Sequence, residues 1–508
     1  MEKTLPAISP ELNLRPPVND TVAELKRGAF FNIIAVLASN FRGIFTFLVA
    51  RMLGPAVLGT YLTAWAMMDL ISKIGVFALD TTVTTFIARS EAAGHRARSR
   101  VLFRVAVFLA VLQSSVVAAL SIAAIRLFGA RLGLHPQMVA AFSVMLCALP
   151  GVVLYRISTA VSRGMKIMRH DIYSRGMTDW IVTTMAFLVA LGLGFKTFAP
   201  EYAVIIGSLA SGIVALILAA SLFRSAPRSH AVISHRREAR RLFAYAAPIS
   251  AYDLFNSAIS RVDVIMLACF IDRAPGVTLP VVGIYGTVVE IAIGLRKVNQ
   301  AFNPIFGPVV AGMTVHGEQE RAAAAFSRVT QWMLWILLPL VAVMILAGSL
   351  ILALYGPAFQ QGAPWLGIVA IACATNALVA LAETVIMVQR PRLNLLNSSI
   401  TCVIAFGANV WLISRFGVIG AALGILLPYV VLGFLRYRAL RYVFGWRNPW
   451  ARTGRPFFAA LGAAIPAGLC RATINGAAGQ LISAAVFLLV FFAAWQYHRA
   501  SEPPHPAL

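Results

Sequence analysis
The sequence predicts an all-α polytopic membrane protein of about 14 transmembrane helices, arranged as two six-helix lobes plus two C-terminal helices. Three observations lead there. Of 508 residues, 59% are hydrophobic and 12% charged, and that is about half the charged share of a soluble domain. Apolar stretches of about 20 residues, enough to cross a bilayer, follow one another along the chain. The basic residues fall in alternate loops. Such a composition excludes an ordinary soluble domain, a disordered chain and a disulfide-rich secreted module.

Residues 1–27 are polar and punctuated by Pro6, Pro10, Pro16 and Pro17. They read as a disordered tail without the apolar core of a signal peptide. The first span is 28–50. The others fall near 60–87, 101–125, 138–160, 176–195, 202–223, 243–270, 282–312, 326–354, 364–388, 394–413, 418–435, 456–473 and 479–497. The N-lobe is thus 28–223 and the basic inter-lobe loop 224–241. The C-lobe is 242–440. Residues 441–497 hold the last two helices with the loop before them, and 498–508 is a tail.

Charge sets the orientation. With the N-terminus inside, the inside loops gather Arg96, Arg98, Arg100, Arg163, Lys166, Arg236, Arg237, Arg240, Arg438 and Arg441, and the outside loops hold only scattered cations. The positive-inside rule then puts both termini in the cytoplasm. Most of the formal charge of +24 is a topology signal facing anionic lipid, so it implies no nucleic-acid partner. In 436–455 the aromatics Tyr437, Tyr442, Trp446 and Trp450 alternate with arginines, as in an interfacial anchor.

The inter-lobe loop divides six spans from six of equal orientation, the form of a parallel repeat. One local match supports it. Gly59, Tyr61 and Lys73 of the second span recur at identical spacing as Gly283, Tyr285 and Lys297 of the eighth.

Bond-making chemistry has no visible seat. There is no GxxxxGK[ST] phosphate loop, no HExxH and no Cys/His cluster, so neither an enzyme nor a cofactor or metal is expected. The five cysteines lie in apolar stretches and read as small hydrophobes.

The informative residues are charges at bilayer depth, which cost several kcal/mol unless paired or hydrated. They concentrate on spans one, two, seven and eight: Arg42; Asp69, Lys73 and Asp80; Asp253, Arg261 and Asp263; Glu290, Arg296 and Lys297. Arg42 reads as a cation lining a wet central cavity, or else as the partner of a carboxylate such as Asp69. Asp69, Lys73 and Asp80 share one helix face by spacing, and Asp69–Lys73 is an adequate internal pair. Arg261 and Asp263, two apart, are nearly opposed, so one faces the cavity and the other a neighbouring helix. Arg156, Asp179 and Glu383 are more isolated and read as structural. Pro304 and Pro308 suggest a kink in the eighth span. Cations from both halves around one cavity suit an anionic substrate. Arg42, Lys73, Arg261, Arg296 and Lys297 are the candidates to hold its anionic group, such as a phosphate. Asp69, Asp80, Asp263 and Glu290 are the candidate ion-coupling or cavity acids.

Three segments carry a family resemblance. RMLGPAVLGTY (51–61), LYGPAFQQGAPWLGI (354–368), and Asn409 followed by FGVIGAALG (416–424) resemble bacterial polysaccharide flippases of the multidrug/oligosaccharidyl-lipid/polysaccharide exporter superfamily. The resemblance implies two six-helix lobes around a central, often cationic cavity, with two extra helices. It implies movement of an undecaprenyl-diphosphate-linked oligosaccharide to the outer leaflet by alternating access, for O-antigen, exopolysaccharide or capsule. Coupling to a proton or sodium gradient belongs to the same implication, as do a polymerase and glycosyltransferases as partners. The family's first-helix arginine is matched by Arg42. Its cavity cations in helices two and eight are matched by Lys73 and by Arg296 or Lys297. The alternatives are a cation-coupled multidrug exporter and a flippase for the peptidoglycan precursor.

Overall fold
The computed structural model describes residues 41–224, 235–315, 317–446 and 453–501, and every regular element among them is helical. Ten stretches of the described residues are long and apolar enough to cross a membrane. Pro391–Tyr442 carries two of the expected spans, and Gly43–Val76 carries most of the second with the end of the first, whose residues 28–40 lie outside the described residues. The fifth and seventh spans fall outside this set for separate reasons. Asp179–Gly192 is only 14 residues long, and His235–Cys269 carries Asp253, Arg261 and Asp263 within its apolar run. Each span read from the sequence therefore has a helical counterpart among the described residues.

The turns between paired spans explain two of the motifs. Gly54 has φ 76° and Gly417 has φ 55°, each inside what is otherwise one helical run. Side chains with a Cβ rarely adopt such a backbone. Pro55 follows Gly54 and starts the next helix with its φ already set. Asn409 closes the second of these hairpins, donating from Nδ2 to the carbonyls of Ala405 and Gly424, both at 2.9 Å.

Within the N-lobe the fourth span packs along the sixth (Ala199–Ser221). Within the C-lobe the seventh and tenth spans pack against the long helix Pro391–Arg438. The last two helices, Gly454–Thr473 and Gly476–Ser501, pair with each other and dock on the ninth span (Gln319–Leu346) through Trp335, Ala463, Ala467, Phe487 and Phe491. They stand outside the six-plus-six arrangement, as their position in the sequence predicts.

The lobes meet where the repeat predicts a symmetry axis. A Cβ on Gly59 would lie 2.8 Å from the Gly283 nitrogen, and one on Gly283 would lie 2.9 Å from the Gly59 nitrogen. These are the two glycines equated by the sequence match. Reciprocal contact between equivalent residues is what a twofold axis imposes. Without side chains the backbones approach closely enough for the Gly283 α-carbon to face the Pro55 carbonyl, the arrangement that small residues permit between membrane helices. The same end is held by Phe47 on Tyr355 (centroids 5.5 Å apart) and by the Arg273 guanidinium lying over Gly133. This is the end opposite the basic loops. At the basic end, Arg98 reaches Glu238 at 3.1 Å, and Phe77 and Phe86 meet Phe243 and Tyr245.

Among the described residues, three spans are interrupted near mid-length. The second breaks at Phe77 and Ala78 (φ 49° and 50°). The fourth breaks at Cys147 and Ala148, between Pro136–Leu146 and Leu149–Gly164. The eighth breaks at Gly294 and Leu295, between Leu279–Ile293 and Arg296–Val315. The eighth-span interruption thus lies upstream of Pro304 and Pro308, whose side chains fall outside the described residues.

Candidate functional site
The site is built on charges that the helices cannot leave in lipid. Asp69 is its hub. Its carboxylate stands 3.5 Å from Arg156 of the fourth span and 3.2 Å from Arg261 of the seventh, whose Nε donates to Oδ2. Arg261 in turn lies 3.5 Å from Glu290 of the eighth span. The chain Arg156–Asp69–Arg261–Glu290 therefore crosses from one lobe to the other. Its side chains are 15–24% exposed, so the pairs are partly hydrated and their partners exchangeable.

The break at Phe77 and Ala78 changes the reading of the second span. Asp69 and Lys73 remain on one helix, but Asp80 sits in the first turn of the next helix, Leu79–Ala92. There its Oδ1 accepts from the Thr81 N–H at 2.8 Å, and its charge suits the helix N-terminus. The face shared with Asp69 and Lys73, eleven and seven residues before it, assumed an unbroken helix. The same holds for Glu290 and Lys297, which the Gly294–Leu295 break places on separate helices.

Arg261 and Asp263 diverge as their spacing requires. Arg261 enters the cross-lobe chain, whereas Asp263 is fully buried and accepts from the Tyr285 hydroxyl at 2.8 Å. Arg296 donates to the Tyr429 hydroxyl and lies 5.2 Å from that ring's centroid; Tyr429 bonds onward to Ser260 at 3.3 Å. Lys297 is half-buried beside it at the start of the same helix. Arg296 is thus committed within the C-lobe. Glu383 pairs at 3.1 Å with Arg436, which is 1% exposed and also donates to the Val379 carbonyl at 3.0 Å; this is the structural role read for Glu383. The Arg42 side chain lies outside the described residues.

Beside Asp69 the N-lobe opens into a cavity of about 250 Å³ between the first, second, fourth, fifth and sixth spans. Asp69 and Arg156 belong to it, with Trp65, Tyr155 and Trp180 among its walls. Asp171, Arg175 and Asp179 run along one side. Sequence reasoning placed Asp171 and Arg175 in a basic loop and treated Arg156 and Asp179 as structural. A signal was present: Asp171, Arg175 and Asp179 recur every fourth residue, the spacing of one helical face.

Comparison with known proteins follows from this architecture. The profile of a family described as polysaccharide biosynthesis protein matches residues 25–310. Among solved structures, the chain is similar to the lipid II flippase MurJ in an inward closed conformation. The TM-score is 0.65 at 10% identity, covering 93% of this chain and 99% of that one. It is similar to an inward-facing multidrug resistance MATE family transporter of the MOP superfamily, with TM-score 0.64 at 15% identity, covering 79% of this chain and 94% of that one. An outward-facing structure of a MATE family transporter of that superfamily gives TM-score 0.52 at 14% identity, covering 82% and 94%. No curated protein matches significantly. The chain belongs to the polysaccharide biosynthesis protein family and is a multi-pass membrane protein with the fold of transporters and flippases.

Proposed function
We propose that the protein moves a prenyl-diphosphate-linked oligosaccharide from the inner to the outer leaflet of the bacterial inner membrane, by alternating access between two lobes. The observation that carries this reading is the cross-lobe chain Arg156–Asp69–Arg261–Glu290. Two guanidiniums there, one from each lobe, are held by carboxylates in a partly hydrated site. A diphosphate offers the same fork-shaped acceptor as a carboxylate and more charge, so it competes for these arginines. With the basic loops cytoplasmic, the lobes touch at the outer end, ready to load from the inside. Lys73 and Lys297 add positive potential to the route, and the sugar crosses in the hydrated space while the prenyl chain stays in lipid. Freed carboxylates, Asp69 or Glu290, are the natural takers of a coupling proton or sodium ion.

A multidrug exporter would present its acids to a cationic substrate, whereas here Arg261 engages both Asp69 and Glu290. The test is gene deletion with leaflet-resolved assay of the prenyl-diphosphate oligosaccharide, complemented by wild type, Arg42→Ala or Arg261→Gln. Inner-leaflet accumulation and loss of surface polymer, restored by wild type alone, is expected. Lysis on deletion would reassign the substrate to the peptidoglycan precursor. Unchanged polymer with raised drug susceptibility would overturn the reading in favour of export.

A further inference from the structure
We propose that the N-lobe cavity is a saccharide subsite, which grips the sugar next to the diphosphate while the arginines between the lobes hold the diphosphate itself. The inference rests on the flippase reading and assigns this cavity its ligand class.

Its walls have the chemistry of carbohydrate recognition. Trp65, Tyr155 and Trp180 supply aromatic faces, whose negative quadrupole suits the C–H face of a pyranose ring. Asp171, Arg175 and Asp179 supply acceptors and donors for hydroxyl groups around such a ring. The charges are paired: Arg175 stands 3.7 Å from Asp171, and Arg156 stands 3.5 Å from Asp69. Paired acids and guanidiniums present donors and acceptors together with little net charge, which fits a polyhydroxylated ligand. A bare cation would be met by arginines as well as acids, and a prenyl chain by charge. The volume, about 250 Å³, is close to the small end of ligand pockets, about 300 Å³. That favours one or two sugar rings over a whole repeat unit.

Local structure supports a built site. Ile172–Thr178 forms a π-helical segment between Asp171 and Asp179. Asp171, Arg175 and Asp179, spaced four apart across it, line the cavity together. Asp69 and Arg156 belong both to this cavity and to the cross-lobe chain. The two subsites therefore adjoin, as a sugar and its diphosphate do.

The test uses the purified full-length protein in detergent. The probes are farnesyl diphosphate and a panel of farnesyl-diphosphate-linked monosaccharides: hexose, N-acetylhexosamine, deoxyhexose and hexuronate. At least one glycosylated probe is expected to bind about tenfold tighter than farnesyl diphosphate, the scale of one good aromatic contact with its hydrogen bonds. Trp180→Ala should erase that gain and leave farnesyl diphosphate within about twofold, while Trp180→Phe retains most of it and controls for folding. Equal binding of sugar-bearing and sugar-free probes, with farnesyl diphosphate still sensitive to Arg261→Gln, overturns the subsite alone. No binding of farnesyl diphosphate overturns the flippase reading and the subsite with it. Sodium-dependent tryptophan fluorescence lost in Asp179→Asn, with no sugar gain, would reassign the cavity to a cation.

Discussion
Replacing Asp69 by Asn should strengthen anion binding while it weakens transport. In the resting protein Asp69 occupies the guanidiniums of Arg156 and Arg261, at 3.5 and 3.2 Å. A diphosphate must displace it. At 3.2 Å the attraction between unit charges is about 5 kcal/mol at an effective dielectric of 20 and about 1.3 kcal/mol at that of water. The Asp69 and Arg261 side chains are 19% and 15% exposed, so the effective value lies between these limits, and solvent screening brings it to about 2 kcal/mol. Removing that competition corresponds to about thirtyfold tighter binding of inorganic pyrophosphate. Titration calorimetry on the purified Asp69→Asn protein measures it, with Arg261→Gln as the variant expected to lose affinity. On the proposed flippase reading transport should fall, because the same carboxylate would expel the diphosphate after the lobes have moved. If Asp69→Asn binds pyrophosphate no better than wild type while Arg261→Gln binds it worse, Asp69 is no competitor and the exchange argument fails.

Three further perturbations follow from the geometry. Gly283→Val would drive a side chain into the Pro55 carbonyl and the Gly59 backbone. Spin labels at positions 133 and 273, in a chain freed of its five cysteines, should move apart, and an unchanged distance would show that this end is not closed by the glycine pair. Arg436→Met leaves Glu383 without its 3.1 Å partner and should cost about 3 kcal/mol in denaturant titration; adding Glu383→Gln should recover part of it. At the basic end, His170 is buried with Nδ1 2.9 Å from the Ser162 hydroxyl. Burial, and secondarily the charge of Arg169, pushes its pKa below the ordinary imidazole value. The folded state thus prefers the neutral ring, so its stability contribution is full above about pH 6.5 and is lost as pH falls through the lower folded value. Melting temperature should drop from pH 7 to pH 5, and His170→Gln should flatten that component.

The span order and the divergence of Arg261 from Asp263 were legible because both follow from helical periodicity and apolar run length. The motifs that contain Gly54 and Gly417 were legible only as a family resemblance, and the turns at those glycines give them a physical reason. The partners of Asp69 were not. Arg261 is 192 positions away, and no spacing rule links helices of different lobes. The break at Phe77 and Ala78 was hidden as well, since neither residue signals a left-handed backbone, and with it went the single face drawn through Asp69 and Asp80. Asp171 and Arg175 looked like part of a basic loop because a π-helical segment has no sequence period of its own to betray it.

The glycine pair at the lobe boundary has a kinetic consequence. A contact made of long side chains loosens gradually, since rotamers follow a retreating partner. Backbone against backbone has no such slack: a gap of 0.5–1 Å already forfeits roughly a quarter to a half of the dispersion attraction. Gly59 and Gly283 are therefore either seated or parted, with little stable ground between. In the proposed alternating-access cycle such a latch would make the far end a toggle, so that partly open forms that leak ions are brief.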